Sequence, residues 1–277
     1  MSTTVLTPKS RLHGISLFLS ASIPTAARAD EYERIPEAPL QIEEAVMCIA
    51  RAIFMEGGTL VFGAHPSISP LVARVIDDYY LPAPAEERQR DTDRENQAIQ
   101  WKNPSLVIYQ SLVWKEYWAE ATERLARHPL VQMKWTDIVG DERIDLTIKN
   151  AALAPNSMEK MRIAMLNDTS PEAMIAIGGM KGVLDEAKLF AMHRQGKPIF
   201  TLETTGGAAA LLARPQQSLG TVRVMDAEAM NLVRKFWESQ EDRDLQKRFS
   251  ESGSRRLYVP YAFVAQQIVA EIINNRG

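Results

Sequence analysis

The chain has 277 residues, 45% of them hydrophobic and 24% charged, and its 32 basic and 35 acidic side chains leave a net charge of −3. That composition excludes a disordered or collagen-like chain, and the near balance of charge offers no global attraction to nucleic acid. Cys48 is the single cysteine, beside only four histidines, so an intramolecular disulfide is impossible and no metal cluster is expected; no apolar run reaches the ~20 residues of a membrane-spanning helix.

Residues 15–19 read as a first strand that ends in Ser20-Ala21-Ser22. Lys9 and Arg11 before the apolar stretch 14–23, and Ala27-Arg28-Ala29 after it, also have the form of a signal peptide over residues 1–29. The strand is the preferred reading because later strand ends carry the same chemistry, and a cytoplasmic location follows from it. An irregular, proline-bearing stretch runs to residue 39. A helix then fits residues 40–56, with Ile42, Ala45, Val46, Ile49, Ala50 and Ile53 on one face and Gly57-Gly58 at its end. Cys48 lies within it and reads as a buried, inert thiol.

Residues 59–62 form a short β run before Gly63-Ala64-His65-Pro66-Ser67. A second helix over 70–80 is expected behind Ser69 as N-cap. The charge-dense stretch 82–96 reads as a solvated loop or helix face. Residues 106–109 are a third strand, 114–125 a helix, 131–135 a strand and 157–166 a methionine-rich helix whose Met158, Met161 and Met165 belong to the core. Residues 173–177 are a buried strand closed by Gly178-Gly179-Met180-Lys181-Gly182, after which a helix opens with Asp185 and Glu186 in its first turn. A strand over 198–202, the turn Thr204-Thr205-Gly206-Gly207, a small-residue helix over 208–213 and a strand over 222–225 complete the set. The remainder is mostly helical and ends in a helix over 261–274 with Phe263, Ile268, Val269 and Ile272 as its apolar positions.

Strands alternating with helices predict an α/β fold: a doubly wound, mainly parallel Rossmann-like sheet with helices on both faces. A single domain over 1–277 is expected, with a helical C-terminal portion from about residue 226. Ligands of such sheets lie outside the carboxyl ends of the strands near the switch in strand order. The expected contacts are therefore Ser20, Ala21, Ser22, Gly63, His65, Ser67, Gly178, Gly179, Lys181, Gly182, Thr205 and Gly206. All but His65 and Lys181 are small or hydroxyl-bearing, so backbone can approach a phosphate closely, and a helix N-terminus suits an anion. Ordinary turn chemistry also selects glycine and serine at such places.

The ordered set Phe18-Leu-Ser-Ala-Ser22, Leu60-Val-Phe-Gly-Ala-His65, Met158-Glu-Lys-Met-Arg-Ile-Ala-Met165 and Ile177-Gly-Gly-Met-Lys-Gly-Val-Leu-Asp-Glu186 resembles the SLOG superfamily over about residues 14–213. That group unites Lonely Guy phosphoribohydrolases, DprA-like proteins and nucleotide-sensing domains of anti-phage systems. The nearest likeness is to its Sir2- and TIR-associated branch. The resemblance implies a nucleotide or NAD-derived ligand, with no cofactor required.

Two departures matter. Val183 stands where Lonely Guy enzymes carry a threonine, with one extra residue before Gly182. Glu186 matches the family's catalytic glutamate, but the catalytic arginine aligns with Met161, leaving Arg162 one position and about 100° of helix rotation away. These departures favour recognition of an NAD-derived or cyclic nucleotide signal over hydrolysis. The alternative is an N-glycoside hydrolase in which Glu186 is the catalytic carboxylate and Arg162 and Lys181 hold phosphate. Trp114 and Trp118 suit either base stacking or helix packing. The expected partners are a small nucleotide, a separately encoded effector and further copies of the chain, with neither a membrane nor a nucleic acid.

Overall fold

A computed structural model describes residues 11–24, 38–79, 105–144, 154–215, 219, 221–239 and 259–275. The charged stretch 82–96 and the small residues at 27–29 lie outside the described residues. Seven strands form one sheet: β1 (Ser16–Ser22), β2 (Thr59–Gly63), β3 (Leu106–Ser111), β4 (Val131–Thr136), β5 (Ala173–Gly178), β6 (Ile199–Leu202) and β7 (Val222–Val224). Their order is β4-β3-β2-β1-β5-β6-β7, and every pairing is parallel. The fold is the expected α/β, Rossmann-like one. The segment read as either signal peptide or strand forms the centre of the sheet, with Leu17 opposite both Leu60 and Ala173.

Because side chains alternate across a strand, each of the two faces gathers its own core. Leu17 and Leu19 of β1 join Ile175 and Ile177 of β5 beneath α1 (Ala38–Met55), α2 (Ser69–Tyr79) and the C-terminal helix, with Leu125 of α3 (Glu120–Ala126) at the edge. Phe18 of β1 and Met174 and Ala176 of β5 face the other way, under α4 (Pro155–Thr169), α5 (Lys181–His193) and α6 (Gly207–Leu212). The chain closes with α7 (Ala227–Glu238) and α8 (Tyr261–Asn274), and α8 packs along α1. Met161 and Met165 are core residues, and Met158 packs against them from the rim.

The structure corrects several expectations. Residues 114–125 are not one helix. A 3-10 turn, Leu112–Trp114, follows β3 with Ser111 Oγ accepting from Val113 N–H, and α3 begins only at Glu120. Between them Trp118 packs on Trp135 of β4, ring centroids 4.9 Å apart, so it serves packing. Ser69 is the first residue of α2, and its hydroxyl accepts from Thr122 Oγ of α3 at 2.9 Å. Phe263 is 42% exposed, because the buried stripe of α8 runs Tyr261, Val264, Ala265, Ile268, Val269, Ile272 and leaves position 263 beside it. Among the described residues no helix is long and apolar enough to cross a membrane.

Candidate functional site

The strand order reverses between β1 and β5, and the carboxyl ends of those two strands define the crevice. β5 is buried throughout and ends on Gly178 (φ +56°) and Gly179 (φ +81°), both in the left-handed region that glycine alone enters freely. Space forbids side chains here as well. A Cβ on Gly178 would stand 2.4 Å from Ile42 Cδ1, and one on Gly179 would stand 2.2 Å from Val183 Cγ2. Val183, found where the related enzymes carry a threonine, is thus a buried packing residue beneath the turn.

The turn is shorter than the sequence indicates. Met180 is the N-cap, α5 starts at Lys181, and Asp185 and Glu186 therefore lie in its second turn, one turn too late to meet the terminal dipole directly. Met180 supplies no side-chain cap and Val183 N–H donates to its carbonyl at 2.9 Å, which among the described residues leaves the Lys181 and Gly182 N–H groups at the mouth of the crevice. Lys181, which the sequence places in the turn, extends away from it: its side chain is 80% exposed and pairs with Asp185 at 2.8 Å.

Glu186 and Arg162 come together. Arg162 Nε donates to Glu186 Oε1 at 3.1 Å, with 17% and 16% of the two side chains exposed. Ser20 Oγ donates to the other oxygen, Oε2, at 2.5 Å. The one-residue offset on α4 explains the arginine. Met161 turns down into the core, where its Cε lies 3.4 Å from the position of a Cβ on Gly63, and the rotation sends Arg162 toward α5. Arg162 Nη2 lies 3.4 Å from the position a Gly182 Cβ would occupy, an ordinary contact distance that places the guanidinium beside the helix start. A cation, a carboxylate held by two donors and an uncapped helix N-terminus share one crevice.

The other expected residues divide. Ser22 borders the glycine turn: its carbonyl accepts from Gly179 N–H at 2.8 Å, and its Oγ lies 3.5 Å from the point a Cβ on Gly179 would occupy. Ala21 points to the opposite face, against the α1-side core. His65 Nδ1 accepts from Ser67 N–H at 3.2 Å and lies 2.8 Å from Ser67 Oγ, while Ser67 Oγ accepts from Ile23 N–H at 3.1 Å. That pattern assigns the unprotonated nitrogen to Nδ1 and commits Ser67 to stitching the β2 loop onto the end of β1. Thr205 is fully buried, its Oγ1 accepting from Gly178 N–H at 2.8 Å and donating to Leu202 carbonyl at 2.6 Å, so it braces the turn from behind. Gly206 (φ +67°) and Gly207 (φ +59°) continue the brace: Ala208 N–H donates to Gly179 carbonyl at 2.9 Å, and a Cβ on Gly207 would stand 2.4 Å from that same oxygen.

Sequence reasoning missed Asp226. It is fully buried and accepts from Glu203 N–H (3.1 Å), Thr204 N–H (2.8 Å) and Thr204 Oγ1 (2.5 Å), and Thr204 Oγ1 lies 2.8 Å from Tyr261 Oη at the start of α8. Burial raises the Asp226 pKa, with the hydrogen bonds from Thr204 and Glu203 opposing, and raises that of Tyr261. The available signal was its position, an aspartate immediately ahead of a helix.

No curated protein matches the chain. The model of the SLOG cluster3 family matches residues 95–237, more than half of the sequence, from the approach to β3 through α7. The matched part contains Arg162, the glycine turn and Glu186, while β1 and β2 lie ahead of it. SLOG membership brings with it nucleotide-related ligand binding or glycosidase-like function as the general class of activity. With the parallel sheet, the reversal between β1 and β5 and the matched segment, the chain belongs to the SLOG cluster3 family.

Proposed function

We propose that the crevice between β1 and β5 binds the phosphate of an NAD-derived or cyclic nucleotide, and that the protein is a ligand sensor in bacterial anti-phage defence. One observation carries this reading: Arg162 Nη2 lies against Gly182 in the first turn of α5, whose N-cap Met180 supplies no side-chain acceptor. Free N–H donors and a guanidinium converge there, the combination that favours a phosphate oxygen. Ser22, Gly178, Gly179 and Gly182 contribute backbone close to the ligand. Thr205, Gly206 and Ser67 act by holding those segments. Recognition without turnover is favoured because both oxygens of Glu186 already hold hydrogen bonds within the protein.

The hydrolase reading has its own support, since Glu186 and Arg162 do meet in the crevice despite the offset. In that reaction Glu186 would exchange one internal hydrogen bond for the ribose or the attacking water. Both readings are tested by incubating the protein with NAD, AMP, ADP-ribose and its cyclic isomers and measuring retained ligand and products by mass spectrometry. The sensor reading expects retention without products, and Arg162→Ala should weaken retention by about 10–100-fold, the worth of a charge-assisted hydrogen bond or two. Release of nicotinamide or free base that vanishes in Glu186→Gln would replace it with the hydrolase. Defence is tested separately by phage plating on cells carrying the native gene neighbourhood with wild-type protein or Arg162→Ala. Equal plating on both would refute the defence role.

A further inference from the structure

We infer that Ser20 is a positioning residue: its hydroxyl fixes the Glu186 carboxylate, and through it the guanidinium of Arg162, instead of contacting a ligand. Phe18 and Ser20 project from the same face of β1, and Glu186 and Phe190 project from the same face of α5 one turn apart. Phe18 and Phe190 are stacked with ring centroids 6.4 Å apart, and both are fully buried. This aromatic contact sets α5 on β1 and brings Glu186 over Ser20. The serine is 1% exposed, so its hydroxyl has no route to solvent or to a crevice ligand, and it lies 2.5 Å from Oε2.

A carboxylate beside a phosphate site is unfavourable unless its charge is engaged. Ser20 takes one oxygen and Arg162 Nε the other, which leaves the Nη face of Arg162 directed at the start of α5. Without the Ser20 bond the carboxylate gains a free rotation about its terminal torsion, and the arginine loses the fixed anchor that aims it.

The inference rests on the nucleotide-binding reading only for its consequence on affinity, and the experiment separates the two. The exchange of the Arg162 Nε–H proton with water is read by nitrogen-15 NMR in the ligand-free full chain, with Arg162→Ala to assign the signal. The affinity for ADP-ribose is read by calorimetry. Ser20→Ala should accelerate that exchange and weaken ADP-ribose binding about tenfold, as expected for one hydrogen bond to a charged group. Its denaturation midpoint should fall by about the worth of one hydrogen bond, and Ser20→Thr, which keeps the hydroxyl, should restore slow exchange. Unchanged exchange in Ser20→Ala overturns the inference, as does accelerated exchange with unchanged affinity. If the wild-type protein does not bind ADP-ribose, the binding reading fails for that ligand, and the exchange rate alone decides the role of Ser20.

Discussion

The two glycine-bearing turns that end β5 and β6 look alike in sequence and are used in opposite ways. The β5 turn, Gly178-Gly179-Met180, opens on the crevice and has Arg162 and Glu186 beside it. The β6 turn spends every hydroxyl internally: Thr205 on Gly178 N–H and Leu202 carbonyl, and Thr204 on Asp226 and Tyr261. The first turn carries Arg162 and Glu186 at its side and is itself held from behind, its Gly178 N–H by Thr205 and its Gly179 carbonyl by Ala208 N–H, while the second uses its polar groups to hold the first and to tie down α8.

That contrast can be broken most severely at Gly207. A Cβ there meets the Gly179 carbonyl at 2.4 Å in a left-handed backbone, so Gly207→Ala should cost more than about 3 kcal/mol and separate the brace from the turn. Chemical denaturation measures it; a loss under about 1 kcal/mol would mean that the two turns are not interlocked.

Asp226 comes next. Asp226→Ala should cost about 2–4 kcal/mol by leaving two part-buried N–H groups and the Thr204 hydroxyl without their acceptor. Its pH dependence has a definite sign. A folded pKa raised by burial contributes stability that is fully present below the unfolded value and is lost as pH rises through the folded pKa. The advantage of wild type over Asp226→Asn should therefore be larger near pH 3 than at pH 7. Urea titrations of both proteins at the two pH values would show it, and an advantage that grows with pH would contradict the assignment.

Arg162→Ala should act on both stability and affinity. Its pair is mostly buried, so leaving Glu186 half-paired should lower stability by about 1–3 kcal/mol, while nucleotide affinity falls as given above. If affinity survived in Arg162→Ala and collapsed in Asp226→Asn at equal stability, the roles of the two turns would have to be exchanged. The smallest effect belongs to Lys181→Ala, within about 0.5 kcal/mol in stability, because an exposed i,i+4 pair contributes little.

The sheet was legible in the sequence because burial on both faces writes parallel strands as short apolar runs bounded by glycine, as in residues 173–179. Glu186, Arg162 and the β5 turn were legible from local spacing and from the family likeness. The direction of Lys181 was not, because whether a lysine reaches into a turn or lies along its helix depends on where the helix begins, and with Met180 as N-cap it begins at Lys181, ahead of the start expected after Gly182. Thr205 and Ser67 were legible as polar but not as already satisfied. Their partners, Gly178 N–H and Ile23 N–H, are 27 and 44 residues away in the chain and are brought near only by the sheet. Asp226 escaped for the same reason, since both backbone donors it serves, Glu203 and Thr204, come from the turn after β6, 23 and 22 residues earlier in the chain.

The place of β1 in the sheet has a consequence for synthesis and dissection. Leu17 is made well ahead of Ala173, one of its two neighbours in the sheet. At ~5–20 residues per second the nascent chain waits roughly 10–30 s with that strand edge unfilled. The same arrangement forbids a simple excision: a fragment cut at residues 95 and 237 keeps β3–β4 and β5–β7 but lacks the two strands that join them, leaving two half-sheets with no shared ladder.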